Sequence, residues 1–213
     1  MKKYELIETD FKVTIFGVKV FRIKALTSFS YITKGDLGGY IEKESCLDMS
    51  GNAWVSGDAQ VYGNARVYGD AQVHGNARVY GDARVYGNAR VYGDAQVYGD
   101  AWVYGDARVY GDAWVYGDAQ VYGNARVYGD AWVYGDARVY GNAWAKASPI
   151  VLTNYCKWIL TKTDKHLQVG CAQKTFAEWL KWLDGKEEFE TKRGTKEFEK
   201  IEKAIRFLCE QTA

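Results

Sequence analysis

The chain of 213 residues contains one proline, two histidines and four cysteines, and these shortages narrow its chemistry. Cys46, Cys156, Cys171 and Cys209 are scattered and form no Cys-x-x-Cys pair. Neither a disulfide framework nor a thiol zinc site is expected, and a reducing cytoplasm suits the pattern. No metal and no cofactor are expected. No apolar run follows Met1-Lys2-Lys3, so a secretory leader is not expected. No apolar stretch nears the roughly 18 residues of a membrane helix, and no membrane contact is expected. The net charge of +1 shows no bias of one sign that would point to nucleic acid or lipid. The single proline, Pro149, stands where a long repeat stops.

That repeat fills the middle of the chain. Gly-Asp/Asn-Ala-x-Val-Tyr starts at Gly51 and recurs every sixth residue to Gly141, sixteen units without an insertion. Six is too short a period for a helix pair, and being even it preserves the alternation of a strand. Ala and Val then face one side, x and Tyr the other. Gly with Asp or Asn supplies the turn, because both types tolerate positive φ. The inward set is Val55, Val61, Val67 and their successors beside Ala53, Ala59 and Ala65.

Valine inside and Asp/Asn at the turn resemble the hexapeptide-repeat left-handed β-helix family. The resemblance implies a mainly β fold in which three units make a triangular coil of about 18 residues. Sixteen units would give about five coils, with residues 18 apart stacked into ladders. One face would carry Tyr62, Tyr80, Tyr98, Tyr116 and Tyr134 beside Gln60, Arg78, Gln96, Trp114 and Trp132. A second would carry Tyr68 to Tyr140 beside Arg66, Arg84, Trp102, Gln120 and Arg138. The third would carry His74, Tyr92, Tyr110 and Tyr128 beside Trp54, Gln72, Arg90, Arg108, Arg126 and Trp144.

A solenoid must cover its end coils. Residues 1–50 read as an N-terminal β cap, residues 51–146 as the β-helix and residues 147–213 as a small C-terminal α/β cap or docking module. Phe11, Val13 and Ile15 alternate, Gly17 turns, and Val18 to Leu26 forms a second run. Counting back in sixes puts Leu47 in the Ala register and Met49 in the Val register. Ile159–Thr163 and His166–Val169 read as strands. Thr175-Phe176-Ala177-Glu178 is a capping box. It opens a helix with Phe176, Trp179, Leu180 and Leu183 on one face, ended by Gly185. A second helix begins at Thr195 with Phe198, Ile201, Ile205 and Leu208 inside.

Gly35-Asp36-Leu37-Gly38-Gly39-Tyr40-Ile41-Glu42 before the repeats, and Thr163-Asp164-Lys165-His166-Leu167-Gln168-Val169-Gly170-Cys171 after them, resemble a family of phage- and prophage-encoded hexapeptide-repeat proteins. Members often have a histidine shortly after the Gly-Cys, where this chain has Lys174. The resemblance implies a fold and a phage context, hence a host cytoplasm, and no mechanism.

Hexapeptide-repeat enzymes are mostly acyltransferases using acetyl-coenzyme A or an acyl carrier protein, and an acyltransferase is one alternative here. Such sites need a histidine base near a loop that breaks the coil. This repeat has no such loop, and His74 is its one histidine, a weak catalytic candidate without an evident orienting partner or pocket. His166 and Cys171 lie an odd number of positions apart and would face opposite sides of a strand, so Cys171 reads as a small core residue and His166 as a surface or turn residue. Asp164 could pair locally with His166 or Lys165. The Asp corners, such as Asp94, Asp112 and Asp130, read as solvated and partly neutralised by Arg rather than as a calcium site.

The sharpest binding candidate is the ladder Arg90, Arg108 and Arg126 beside Tyr92, Tyr110 and Tyr128. Guanidinium planes flanked by rings can hold anions or stack on a partner. The repeat region carries seven Arg against ten Asp, a net −3 that disfavours extended nucleic acid. Trp102, Trp114 and Trp132 add an interface composition on two faces. The reading is a non-enzymatic interaction scaffold, a homo-oligomer (trimer or dimer) that presents aromatic-Arg faces to itself and to a host or phage protein. The alternative to it is a binder of a small anionic, nucleotide-like ligand such as a host-defence signal.

Overall fold

A computed structural model describes residues 2–152, 155–188 and 190–210. From Trp54 onward every sixth residue begins a two-residue strand, x followed by Val, ending with Trp144–Ala145. Each strand pairs in parallel with the strand 18 residues on, as Arg90 with Arg108 and Val91 with Val109. Three sheets result, and consecutive units visit them in turn, which is a parallel β-solenoid. The backbone bonds recur without slippage: Arg90 N–H donates to Ala107 O at 2.9 Å and Tyr92 N–H to Val109 O at 3.0 Å. Every repeat alanine and every inward valine is at most 1 % exposed, so small and branched side chains fill the tube completely. The sixteen corner glycines all sit at φ between +59° and +74°. That region costs a side chain about 1–2 kcal/mol, which is why the glycine never varies.

The structure has about six coils rather than five. Leu37–Ile41 joins the first face through Tyr40↔Gln60, and Leu47 bridges Val67 on the second. Both pairings span 20 residues instead of 18. The extra two lie between Asp48, whose N–H reaches Val67 O, and Asn52, whose N–H reaches Gly69 O. Leu47 therefore occupies the valine register, not the alanine register that counting in sixes gave it. The Asp48 carboxylate accepts from Ser50 N and Ser50 Oγ, and this local turn absorbs the surplus residues.

Strands Tyr4–Val13, Lys19–Ala25 and Leu37–Ile41 are antiparallel and extend the first face. They share one continuous core with the solenoid. Lys3 Nζ donates to Ala53 O at 3.0 Å, Tyr4 Oη donates to Leu47 O at 2.7 Å, and the Tyr4 and Phe29 rings enclose Trp54 edge-on. Trp54 is thereby buried although its register points it outward. The Gly38-Gly39 pair marks close approach: a Cβ at either would lie 2.7 Å from the carbonyl oxygen of Val55 or Ala59.

The other end carries a four-stranded antiparallel sheet, Ile150–Leu152, Leu160–Lys162, His166–Val169 and Ala172–Thr175. Against it pack α1 (Phe176–Asp184) and α2 (Lys196–Glu210), around a separate core of Leu160, Leu167, Trp179, Ile205 and Leu208. The Thr175/Glu178 capping box is formed. Trp182 joins Trp179 and Leu183 inside, drawn round by Phe198 at 5.8 Å, while Phe176 and Leu180 are half-buried.

This segment supplies side chains where the next coil would have supplied backbone. On the first face Trp132 N–H donates to Ser148 Oγ at 3.1 Å. On the second the Gln168 carboxamide, in the orientation its neighbours dictate (nitrogen toward Arg138 O, oxygen toward Tyr140 N–H), satisfies both groups. On the third Asp164 accepts from Lys146 N at 2.8 Å and its own N–H donates to Trp144 O. Asp164 is thus an edge closure, not the local partner of His166 or Lys165. Cys171, expected in the core, is exposed because it follows the Gly170 turn. His166, expected at the surface or in a turn, is half-buried on a strand with Nδ1 enclosed.

Candidate binding surface

The outward rings stack as an 18-residue coil requires. Tyr62, Tyr80, Tyr98, Tyr116 and Tyr134 follow one another at 4.8–5.6 Å between centroids. Tyr68 to Tyr140 do so on the second face and His74, Tyr92, Tyr110 and Tyr128 on the third. Spacing is set by the backbone, and offset rings at this distance gain a little beyond area burial. Burial first, then the neighbouring Tyr80 and Tyr116, push Tyr98 up to about 12, so its hydroxyl is neutral across the physiological range.

The third face brings the predicted Arg and Tyr residues together. Arg90, Arg108 and Arg126 pair in register on adjacent strands, with Tyr92, Tyr110 and Tyr128 two residues on. Among the described residues no carboxylate lies within 4 Å of any of the three guanidinium groups. Arg126 rests 4.9 Å over the Trp144 ring. The corner beside them holds its acids differently from the expected Arg neutralisation: the Asn52 amide donates to Asp70 at 2.8 Å and the Asn88 amide to Asp106 at 3.0 Å. Alternating Asn and Asp keeps like charges apart and leaves the guanidinium row free.

The three tryptophans lie elsewhere. Trp102 is on the second face with Arg84 5.0 Å over its ring. Trp114 and Trp132 stack at 5.3 Å on the first face, where Trp132 and Tyr134 are about half exposed, 46 % and 51 %. His74 stands at the start of the third-face ladder, stacked on Tyr92 at 4.9 Å. Burial and then Arg90 hold its pKa below the ordinary value, so it is neutral at pH 7. No group of three His, Cys, Asp or Glu among the described residues could hold a metal ion. No described helix is long and apolar enough to cross a membrane.

Sequence reasoning missed the edge-closing residues Ser148, Asp164, Gln168 and Gln173, and it missed Tyr31, which bonds Gln72 across the start of the third face. A polar side chain in an irregular segment carries no periodic signal.

With the geometry fixed, comparison adds the repeat's kind. The chain matches the family model described as the YdcK beta solenoid repeat over residues 59–75, 71–85, 77–93, 83–99, 101–117, 119–135 and 131–145. No curated protein matches it. The matched segments lie wholly within the coils and speak for the solenoid, not for its ends.

Proposed function

We propose that this repeat β-solenoid is a non-enzymatic interaction scaffold whose third face binds an acidic surface on a protein partner. The observation that carries the reading is the in-register row Arg90, Arg108 and Arg126, unpaired with any described carboxylate and backed by stacked Tyr92, Tyr110 and Tyr128. Parallel pairing fixes the backbone spacing of the row, and Arg and Tyr are the residues that anchor interfaces. Self-association through the half-exposed Trp132 and Tyr134 of the first face belongs to the same reading. So do the left-handed winding that the hexapeptide-repeat resemblance implies, and the phage origin and host-cytoplasmic setting that the flanking motifs imply.

A small anion on the third face is a weaker reading. The hollow there, lined by Tyr31, Gln72, Arg90 and Arg108, also contains Asp70 and Asp106. Acyl transfer is weaker still: His74 has no hydrogen-bonded carboxylate among the described residues to orient it. The test compares wild type with the triple variant Arg90→Glu/Arg108→Glu/Arg126→Glu in pull-down from host lysate at low and high salt. A partner captured by wild type, released by salt and absent from the variant supports the reading. An identical set captured by both proteins overturns it.

A further inference from the structure

Where the second face meets the C-terminal segment there is a groove of about 450 Å³. One wall is the last coil, with the Tyr122 and Tyr140 rings stacked at 5.0 Å and Arg138 beside them. The opposite wall is Trp158. Its indole seats against Gly170, where a Cβ would fall 2.6 Å from the ring, so only glycine allows this approach. The walls are fixed to each other: Tyr140 Oη donates to Gly170 O at 2.9 Å, and the buried Gln168 forms the floor.

Charge distinguishes this groove. Two other hollows of similar size set acids against their arginines, Glu44 and Asp48 with Arg66 and Arg84 in one, Asp70 and Asp106 with Arg90 and Arg108 in the other. The Trp158 groove is lined by two cations, Arg138 and Lys157, and, among the described residues, by no carboxylate. Arg138 has no carboxylate within 4 Å among the described residues. Lys157 Nζ lies 4.6 Å over the Trp158 ring. Glu197, which is not part of the lining, accepts from the Lys157 backbone N–H at 2.6 Å. Burial pushes Tyr140 up to about 12, so its hydroxyl adds no negative charge. Exposed Cys171 stands at the rim.

We propose that this groove binds a small molecule bearing a flat aromatic ring and one anionic group. The ring packs edge to face against Trp158 and the edges of the Tyr122–Tyr140 pair, and the anion, phosphate or carboxylate, takes the bidentate guanidinium of Arg138 with Lys157 beside it. The volume lies within the range of small-ligand sites. The proposal does not rest on the third-face reading, and the Arg90/Arg108/Arg126→Glu variant retains this site.

Cys171 provides the readout. Alkylation of Cys171 by iodoacetamide is followed by peptide mass spectrometry in the presence of adenosine monophosphate, 4-hydroxybenzoate, adenosine or inorganic phosphate. Adenosine monophosphate or the aromatic carboxylate protects Cys171, and whichever protects identifies the anion. Adenosine and phosphate alone protect at least about tenfold less well. Arg138→Gln, an exposed residue whose replacement leaves the thermal midpoint in place, raises the half-protecting concentration about tenfold, the loss expected for one charge-assisted bond. Lys157→Gln gives a smaller rise. Absence of protection by both ring-bearing anions at about 10 mM overturns the proposal, as does equal protection of wild type and Arg138→Gln.

Discussion

At the scale of the residue, corner glycines and ladder positions obey different rules. Gly105 holds φ +69°, and a Cβ there would sit 3.0 Å from the backbone nitrogen of Gly123 in the next coil. Gly105→Ala should cost about 1–2 kcal/mol in urea unfolding, from left-handed strain alone. Asp100→Asn at an exposed corner should change little, because Asn already serves at other corners; equal losses would show that corner conformation is not what the glycine supplies. His74 obeys a third rule. Its folded pKa is depressed below 6.5 by burial and by Arg90, so the unfolded chain binds the proton more readily. The stability tied to neutral His74 is complete above about pH 6.5 and is lost as pH falls through the folded pKa. His166 is depressed by burial as well, so the His74→Tyr variant keeps some acid sensitivity from that site. Between about pH 7.5 and 5.5 the thermal midpoint of wild type should fall further than that of His74→Tyr, which restores the tyrosine column. Parallel curves would remove His74 from the acid response.

At the scale of the element, the short strands are stable only as members of a stack, so the edge strands decide cohesion. Gln168 is buried and completes the second-face edge at Arg138 O and Tyr140 N–H. Gln168→Ala leaves two backbone groups unpaired and should cost about 1–3 kcal/mol, with faster hydrogen exchange at Tyr140. Unchanged exchange there would mean that water or another side chain closes the edge. This also explains which elements were legible. The strand alternation and the corners followed from the six-residue period, because alternation and turn chemistry repeat in every unit, and the pairing 18 residues apart with its ring ladders followed from the resemblance to the hexapeptide-repeat β-helix family. The capping box and both helices followed from local signals. The two-residue surplus at Asp48–Asn52 did not, because counting in sixes assumes the register it is meant to find. Nor did the exposure of Cys171 or the roles of Asp164 and Gln168, which arise from how one segment docks on another. The Arg90–Arg108–Arg126 row was legible as a row. Its freedom from carboxylates depends on Asn88 holding Asp106, a contact between coils that sequence separation hides.

At the scale of the whole molecule, the end segments touch only the coils nearest them. The N-terminal segment bonds Leu47, Ala53 and Gln72 and reaches Tyr80 through Phe16, and the C-terminal segment bonds Trp132, Arg138, Tyr140 and Trp144. Between them each coil contacts only its neighbours, as in a one-dimensional stack. Length can therefore change without changing the caps, but face identity has a period of 18, not six. Duplicating residues 93–110 after Tyr110 adds a full coil and lengthens the guanidinium row to four. Duplicating residues 99–104 after Tyr104 adds a third of a coil. It sets a copy of Trp102 opposite Arg90, moves Arg108 and Arg126 to the next face, and turns the caps by one face relative to each other. Both insertions preserve every core valine, alanine and corner glycine, so both should fold, with matching circular dichroism and thermal midpoints. If the third face is the partner surface, the 18-residue insertion keeps capture at least at the wild-type level, and the six-residue insertion weakens it by about tenfold or more. Equal capture by the two insertions, with both folded, would mean that composition and not the registered row of arginines makes the interaction.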